Sequence, residues 1–256
     1  MVTIKSNREI EAMRESCLIV AQAHKEVEKN IRVGITTKEL DEIVEQTIRK
    51  HGAIPSFKDY PSGFNDVKNF PASACISIND EVIHGIPSKN RIIQDGDIVS
   101  VDIGAYKNGF HGDAARTHIV GQVDDITKRL VEITKQSFFE GIKFAKPGFR
   151  VGDISNAIGE YVESQGFSVV REFQGHGVGR ELHEDPGIPN YGKKGKGIRL
   201  EVGMTLAIEP MVNVGTHEIE ILEDGWTTVT YDRRNSAHYE NTILITEKGP
   251  EILTKV

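Results

Sequence analysis

An internal repeat is the feature that most constrains how this chain can fold. Gly34 and Gly52 bracket one segment, Gly148 and Gly166 bracket another, and the two segments lie 114 positions apart (148 − 34 = 114). Apolar residues recur at i, i+4 and i+8 within each segment, which is the spacing of one buried helix face. They are Leu40, Val44 and Ile48 in the first segment and Ile154, Ile158 and Val162 in the second. The repeat predicts two similar halves.

Another helical pattern precedes each repeated segment, at about 6–31 and 124–145, and Ser6 with Glu9 forms a capping box at the start of the first. Runs rich in β-branched residues then predict strands at 75–78, 98–106, 114–121, 168–172, 205–209, 227–231 and 240–246. This order predicts two α+β halves that share one curved antiparallel sheet. No Pro/Ser-rich linker or low-complexity tract interrupts the sequence, so we expect residues 1–256 to form one domain.

The dipeptide Asn108-Gly109, with β-branched residues on both sides, predicts a β-hairpin turn. Facing positions then sum to 217, so Asp113 faces Gly104, and Asp102 shares the face of Gly104. The two carboxylates become diagonal neighbours, roughly 7–8 Å apart at the backbone, and the small glycine is expected to leave room for an ion. The apolar flanks disfavour the alternative of solvated edge carboxylates, whereas a bulge at the turn would place the two aspartates on opposite faces.

His176 stands between Gly175 and Gly177, and His183 follows seven positions later. A lone histidine is more often structural than a ligand. Two histidines in one glycine-rich segment, with strand carboxylates elsewhere, favour a metal site, where the glycines are expected to let backbone approach the ion. A nucleotide-binding loop is excluded, because GHGVG does not match G-x-G-x-x-G and no GK[ST] follows.

Two glutamates complete the candidate ligand set. Glu209 ends the predicted strand 205–209, and Glu240 opens the strand 240–246. Ionised glutamates are rarely buried in apolar strands unless they are paired or bind metal; either one alone is equally consistent with an exposed strand end. Four carboxylates and one imidazole can hold two divalent ions with a hydroxide between them, a centre that hydrolyses amide or phosphate bonds. The expected ligands are Asp102, Asp113, His176, Glu209 and Glu240.

Composition narrows the class of protein. The net charge of −7 argues against general nucleic-acid binding. The segment MVTIKSNREI lacks the apolar region of a signal peptide, and no apolar run is long enough to cross a membrane. The two cysteines, Cys17 and Cys75, make no disulfide framework. Together these features predict a globular cytoplasmic protein.

Five motifs carry a family resemblance: NDEVIHGIP, DGDIVSVDIGAYKNGFHGDAART, GHGVGRELHEDP, TLAIEPMV and HYENTILIT. In this order and spacing they resemble the bacterial methionine aminopeptidases of type I, over nearly the whole chain. The resemblance implies a pita-bread fold and places the family's metal ligands on the five residues above. It places the two substrate-facing histidines on His84 and His183. It also implies an apolar methionine pocket that contains Cys75 and Trp226, with Phe70 as a further wall residue, although each also suits a core position.

The sequence departs from the family pattern in two places. Asn241 stands where the family usually has a histidine after its last glutamate ligand, and the stretch 60–74 is longer than in close relatives. Position 241 is not expected to be a ligand, so the change bears on how Glu240 is held.

The resemblance implies removal of the N-terminal methionine from nascent proteins and peptides whose second residue is small. Two divalent ions are the implied cofactors, and cobalt, manganese, iron and zinc all suit oxygen and nitrogen ligands. Glu209 is the expected general base and proton shuttle. His183 is expected to donate a hydrogen bond to the developing oxyanion, and His84 to contact the scissile amide. The expected partners are N-terminal Met peptides and nascent chains, with a transient ribosome contact at 193–199 as a lesser expectation, and the protein is expected to be a monomer.

Three alternatives remain open at this point. A prolidase or Xaa-Pro aminopeptidase shares the ligands but usually carries a large additional N-terminal domain. A non-enzymatic binding protein of the same fold would have lost ligands, and this chain keeps all five. A di-metal phosphoesterase usually offers cationic groups to phosphate, and the motifs contain only Arg116 and Arg180 for that role.

Overall fold

The structure is a computed structural model that describes residues 2–63 and 66–255. Within these residues, four helices confirm the four predicted helical segments: α1 (Asn7–Asn30), α2 (Thr37–Lys50), α3 (Asp125–Ile142) and α4 (Val151–Ser164). Local hydrogen bonds explain where α1 and α2 begin, because the backbone N–H of Ser6 donates to Glu9 at 2.9 Å and that of Thr36 donates to Glu39 at 2.8 Å. No helix in the described ranges combines the length and hydrophobicity needed to span a membrane.

The internal repeat is confirmed by the backbone as well as by burial. Gly34 and Gly148, which precede α2 and α4, have φ values of +90° and +93°, a region that L-residues with a side chain rarely adopt. Thr36 and Arg150, which are also 114 positions apart (150 − 36 = 114), each form an isolated antiparallel bridge at the start of their helix. Both predicted apolar stripes are fully buried: Leu40, Val44 and Ile48 in α2, and Ile154, Ile158 and Val162 in α4.

Most of the strands are short. In chain order they are β1 (Ile54–Pro55), β2 (Ala74–Ile78), β3 (Glu81–Ile83), β4 (Ile98–Lys107), β5 (Phe110–Ile119), β6 (Ser168–Val169), β7 (Gln174–Gly177), β8 (Glu184–Pro189), β9 (Thr205–Ile208), β10 (Met211–Asn213), β11 (Ile219–Ile221), β12 (Thr228–Thr230), β13 (Ser236–His238), β14 (Asn241–Thr246) and β15 (Gly249–Ile252). All seven predicted strands are present, with shifted ends. Most of the others have two to four residues, which is too little alternation to be recognised, and the six-residue β8 contains two prolines and a glycine.

Over residues 2–63 and 66–255 the antiparallel strands form four hydrogen-bonded sheets, so the predicted single sheet is divided. Their orders are β1-β4-β2 with β5 on β4, β15-β14-β9-β7-β8, β13-β10-β6, and β11-β12-β3. The two largest sheets are joined between β5 and β14. There the N–H of Glu240 donates to the carbonyl of Ala115 at 3.0 Å, and the hydroxyl of Thr242 bonds both backbone groups of Asp113 at 2.8–3.0 Å.

Each half has its own core, and this arrangement decides where the polar side chains point. Helices α1 and α2 pack on β2 and β4, while α3 and α4 pack on β9, β10 and β14. Val101 and Ile103 of β4 belong to the first core. Since side chains alternate along a strand, Asp102 between them points to the opposite face, away from the helices.

Candidate metal centre and substrate cavity

The β4–β5 hairpin has the predicted register. Asn108 and Gly109 form the turn with φ values of +52° and +87°, and Gly104 pairs with Asp113. Asp102 and Asp113 are therefore diagonal neighbours on one face. The expectation that Gly104 makes room for an ion is wrong, because a β-carbon there would lie 2.8 Å from Phe57 and from Ser56. The glycine instead allows the segment before β2 to pack against β4.

His176 lies in β7, a strand between β8 and β9, and pairs with Ala207. A β-carbon at Gly175 would be 2.4 Å from the carbonyl oxygen of Ala207, and one at Gly177 would be 2.3 Å from that of Asp185. The close approach of neighbouring strands thus explains why both positions are glycine, and the approach of their backbone to an ion stays a prediction. Their effect is to hold the imidazole between them in a fixed place.

Glu209 and Glu240 face each other across a strand pair. Asn241 pairs with Ile208 in the β9–β14 ladder, so the two glutamates occupy the next pair of positions at its end. Glu209 follows β9 and Glu240 precedes β14, which agrees with their predicted places at strand ends. Glu240 is also linked to β5, because its backbone N–H donates to the carbonyl oxygen of Ala115.

The structure brings all five predicted ligands into one cluster. Asp113, His176 and Glu240 each offer an atom within 4.8 Å of the others. The Nε2 atom of His176 is 3.5 Å from an oxygen of Glu209 and 4.0 Å from an oxygen of Asp113. Asp102 completes the group as the diagonal neighbour of Asp113 in the hairpin, and it lines the same cavity as Glu209 and Glu240.

The electrostatics of the cluster favour a bound cation. Burial raises the pKa of Asp102 to about 7, and burial together with repulsion from neighbouring carboxylates raises the pKa of Asp113, Glu209 and Glu240 well above the ordinary value. One oxygen each of Asp102, Asp113 and Glu240 is buried without a hydrogen-bond partner among the described residues. Buried carboxylates that lack donors are stabilised by divalent cations, so these residues fit the expected metal ions.

His176 is prepared to serve as a ligand in this cluster. Its Nδ1 atom is 2.8 Å from the carbonyl oxygen of Gly177, which places the ring proton on Nδ1 and the lone pair on Nε2. Burial lowers the pKa of His176 to about 3, so the ring is neutral at physiological pH. The Nε2 lone pair therefore faces the carboxylates without a competing proton.

The carboxylate cluster opens into a cavity of about 920 Å³. Its walls include Asp102, Asp113, Glu209 and Glu240 together with the predicted substrate residues Cys75, His84, His183 and Trp226. Beside the carboxylates the wall is apolar, and Phe57, Phe70, Cys75 and Leu182 pack there as one cluster with Tyr60 and Trp226 at its margin. Cys75 and Phe70 are thus both core residues and cavity walls, which reconciles the two interpretations of each.

Trp226 and His84 are held at the cavity by contacts with neighbouring groups and with each other. The indole N–H of Trp226 donates to the carbonyl of Lys68 at 2.8 Å, which ties the long 60–74 stretch to the pocket. The His84 ring lies 6.1 Å from the Trp226 ring and 5.5 Å from that of Phe173. Burial lowers the pKa of His84 to about 4, so this side chain is neutral at pH 7.

His183 stands beside the predicted ligands on the loop between β7 and β8. Its ring lies 4.4 Å from that of His176, and its Nδ1 atom is 2.6 Å from the hydroxyl of Tyr60. The pKa of His183 is lowered because the ring is partly desolvated. Tyr60 did not emerge from the sequence as a site residue, since no motif connects it with a histidine 123 positions away (183 − 60 = 123).

A further histidine, His238, was also missed by sequence reasoning. Its ring is buried, and its Nε2 atom lies 3.7 Å from an oxygen of Glu209. The available signal was alternation, because positions 238 and 240 lie on the same side of an extended segment.

The Asn241 side chain lies behind the cluster. Its Oδ1 atom accepts hydrogen bonds from Arg116 at 2.5 Å and from the hydroxyl of Thr254 at 2.9 Å. Arg116 also donates to the carbonyl oxygen of Glu240, so the residue after Glu240 helps to anchor that glutamate. The Arg116 guanidinium is occupied by these partners, and Arg180 pairs with Glu9 at 2.9 Å. Arg116 is therefore committed to the backbone and side chains behind the cluster, which leaves Arg180 as the one arginine of the motifs at the cavity wall.

Comparison with known proteins agrees with this geometry. The model of metallopeptidase family M24 matches residues 11–247. Methionine aminopeptidase 1 of Bacillus subtilis is 53% identical over 256 residues, covering 100% of both chains. The methionine aminopeptidase of Clostridium acetobutylicum is 52% identical and covers 99% of both.

Solved structures confirm the predicted pita-bread fold and weigh against the prolidase alternative. The methionine aminopeptidase of Thermotoga maritima superimposes with a TM-score of 0.96 at 49% identity, covering 100% of both chains. The prolidase of Pyrococcus furiosus has a TM-score of 0.79 at 27% identity, and the similarity covers 99% of this chain but only 65% of that one. The chain therefore belongs to metallopeptidase family M24 and, within it, to the methionine aminopeptidases.

Proposed function

We propose that this protein removes the N-terminal methionine from nascent chains and peptides whose second residue is small. The observation that carries the proposal is one cavity that combines a cluster of four buried or half-buried carboxylates and a histidine with an adjoining apolar wall. The cluster suits hydrolysis of an amide, and the wall suits a long unbranched apolar side chain. Family membership supports the same reaction.

Asp102, Asp113, His176, Glu209 and Glu240 would hold two divalent ions of cobalt, manganese, iron or zinc. When bound, the ions supply Lewis acidity and a water of lowered pKa at neutral pH. Their charge would also keep the four carboxylates ionised, which burial otherwise opposes. Glu209 is the proposed general base, taking a proton from the attacking water at a carboxylate oxygen and passing it to the leaving amine.

The two neutral histidines have separate proposed roles. His183 donates a hydrogen bond to the carbonyl oxygen as negative charge develops on it, a role that is often worth several kcal/mol. His84, at the other wall of the cavity, contacts the scissile amide and assists departure of the amine. Cys75 and Trp226, with Phe70, form the methionine pocket.

The test is kcat/KM for Met-X-Ser peptides with the metal-loaded protein. Values should be high for X = Gly, Ala or Ser and very low for X = Lys, Arg or Glu. Norleucine at the first position should be accepted and Leu disfavoured, although an apolar pocket discriminates such side chains by only about 1–3 kcal/mol. Equal cleavage of Met-Ala-Ser and Met-Arg-Ser would refute the size limit. Cleavage of Ala-Pro-Ser instead would point to a prolidase-like enzyme, and cleavage of bis-(p-nitrophenyl) phosphate to a phosphoesterase.

The setting of this activity is also a proposal. Nascent chains emerge in the cytoplasm, and the free thiols of Cys17 and Cys75 are stable in a reducing compartment, so we propose that the protein acts there. Three further points stay predictions: the protein acts as a monomer, residues 1–256 form a single domain, and residues 193–199 contact the ribosome transiently. Sedimentation of the protein alone tests the monomer, and sedimentation with ribosomes tests the contact.

A further inference from the structure

We propose that Tyr60 is a positioning residue whose hydroxyl donates to Nδ1 of His183 and thereby keeps the ring proton of His183 on Nε2. This inference rests on the proposed function for the direction of the hydrogen bond and for its effect on rate, whereas the pairing of the two side chains does not depend on it. The observation behind it is the 2.6 Å separation of the Tyr60 hydroxyl and His183 Nδ1, with the two rings in an edge contact at 5.3 Å and 81°.

His183 needs such a partner because of where it stands. It lies on the loop that joins β7 to β8, and its side chain is exposed to the solvent in the cavity. An exposed side chain on a loop samples several rotamers unless another group holds it. Tyr60 bonds one ring nitrogen and packs against the ring, which fixes both the direction and the plane of the imidazole.

Tyr60 is itself held rigidly enough to act in this way. Its backbone N–H donates to the carbonyl of Phe57 at 3.0 Å, and its carbonyl accepts from the N–H of Phe70 at 2.9 Å. The N–H of Asp59 donates to the carbonyl of Phe70 at 2.8 Å. These bonds close the base of the 61–69 segment, so Tyr60 is positioned by Phe57 and Phe70, two residues that are buried in the wall of the apolar pocket.

The direction of the hydrogen bond follows from the roles of the two partners. A neutral imidazole carries one N–H and one lone pair, so a hydroxyl that donates to Nδ1 requires the ring proton on Nε2. Burial raises the pKa of Tyr60, so its hydroxyl keeps its proton at pH 7. When the hydroxyl donates to Nδ1, the N–H of His183 remains on Nε2 and is free to bond a substrate oxygen. The opposite direction would leave Nε2 as an acceptor, which cannot stabilise an oxyanion.

Two neighbouring histidines are thereby given opposite tautomers. His176 donates from Nδ1 to the Gly177 carbonyl and presents a lone pair at Nε2, as a metal ligand requires. His183, only 4.4 Å away between ring centres, accepts at Nδ1 from Tyr60 and presents an N–H. The partner of Nδ1 therefore decides whether Nε2 of each histidine offers a lone pair to a metal ion or an N–H to the substrate.

The experiment is Tyr60→Phe in the metal-loaded protein, assayed with Met-Ala-Ser. The variant keeps the ring contact and loses the hydroxyl, so kcat should fall by roughly two- to tenfold, the value of one neutral hydrogen bond, with little change in KM. The matched control is Tyr231→Phe, whose side chain is 66% exposed on the surface and which should leave kcat unchanged. In a His183→Ala background, Tyr60→Phe should have no further effect.

A second readout distinguishes positioning from a general structural role. Nitrogen-15 NMR of the histidine rings should show His183 protonated at Nε2 in the wild type and a mixture of both tautomers in Tyr60→Phe. A wild-type His183 protonated at Nδ1 would overturn the inference, as would an unchanged kcat in Tyr60→Phe or an equal loss in the His183→Ala background. If the wild type releases no methionine, the proposed function fails, while the NMR result still tests the pairing of Tyr60 with His183.

Discussion

Replacing Asp102 with Asn should stabilise the metal-free protein at neutral pH, even though it should damage the metal centre. Asp102 lies beside Asp113 and Glu240, and burial raises its pKa from 3.8 to about 7. Without a cation, an ionised Asp102 is therefore an unfavourable charge in the folded state. Asn keeps nearly the same shape and removes that charge, so the sign of its effect depends on pH and on metal.

The magnitude follows from the difference between the folded and unfolded proton affinities. The folded state retains the Asp102 proton up to about pH 7, whereas the unfolded chain loses it near pH 3.8, so stability is lost as pH rises between these values. Each pH unit in this window costs about 1.4 kcal/mol. The full penalty is therefore about 4 kcal/mol, of which about 2 kcal/mol develops between about pH 5.5 and pH 7.

Buried histidines change the unfolding free energy with pH in the opposite direction, so their contribution has to be removed from the comparison. The pKa of His176 and that of His238 are both lowered by burial to about 3, so these groups make the protein more stable as pH rises towards 6.5. They are present in both proteins, so their contribution cancels in the difference between Asp102→Asn and the wild type. That difference reports the Asp102 carboxyl group together with its repulsion of Asp113, Glu209 and Glu240. That difference in unfolding free energy should shift in favour of the variant by about 2 kcal/mol from about pH 5.5 to pH 8.

The assay is urea unfolding of chelator-treated protein at the two pH values. Asp125→Asn is the control, because the Asp125 side chain is 99% exposed, and its difference from the wild type should not change with pH. Saturating divalent metal should reverse the order, with the wild type more stable than Asp102→Asn. A difference that is the same at both pH values would show that Asp102 ionises in the folded protein without cost, and would refute the reasoning.

Three further predictions concern single residues. Asp113→Ala should bind much less metal and lose nearly all activity, which elemental analysis and a Met-Ala-Ser assay would show; normal occupancy and turnover would reject Asp113 as a ligand. His183→Ala should keep its metal and lose on the order of 10²–10³ in rate, and a metal-free His183→Ala protein would make that histidine a ligand instead. Leu40→Ala, at a fully buried position of α2, should cost about 2–5 kcal/mol in urea unfolding. Leu18→Ala, on an exposed part of α1, should cost about 0.5 kcal/mol or less, and equal losses would contradict the predicted stripe.

Local chemistry made much of the fold readable from the sequence. The pairing of Asp113 with Gly104 follows from a two-residue turn at Asn108-Gly109, because the turn and strand alternation are properties of adjacent residues. The predicted cap at Ser6 and the buried stripes of α2 and α4 are also local, since they depend on spacings of three and four residues.

The family motifs predicted all five ligands together, whereas local rules could pair only Asp102 with Asp113. Asp102 and Asp113 were paired by hairpin register, but nothing in the spacing of His176, Glu209 and Glu240 requires them to meet. Their convergence depends on β7, β9 and β14 being neighbours, which is a result of chain path. The resemblance supplied that path, and the structure places the five side chains together.

Contacts between segments that are distant in sequence could be learned only from the three-dimensional structure. The role of Gly104 in admitting Phe57 was misjudged and that of Gly175 in admitting β9 was missed, because a sequence shows that a side chain is absent but not which neighbour fills the space. Tyr60 and His183 meet only because the 61–69 segment is closed at its base and the β7–β8 loop folds towards it. Turns and strand alternation depend on a few residues that are adjacent in the sequence, so they can be predicted from it. A pocket is assembled by packing between elements, and packing depends on all of them at once.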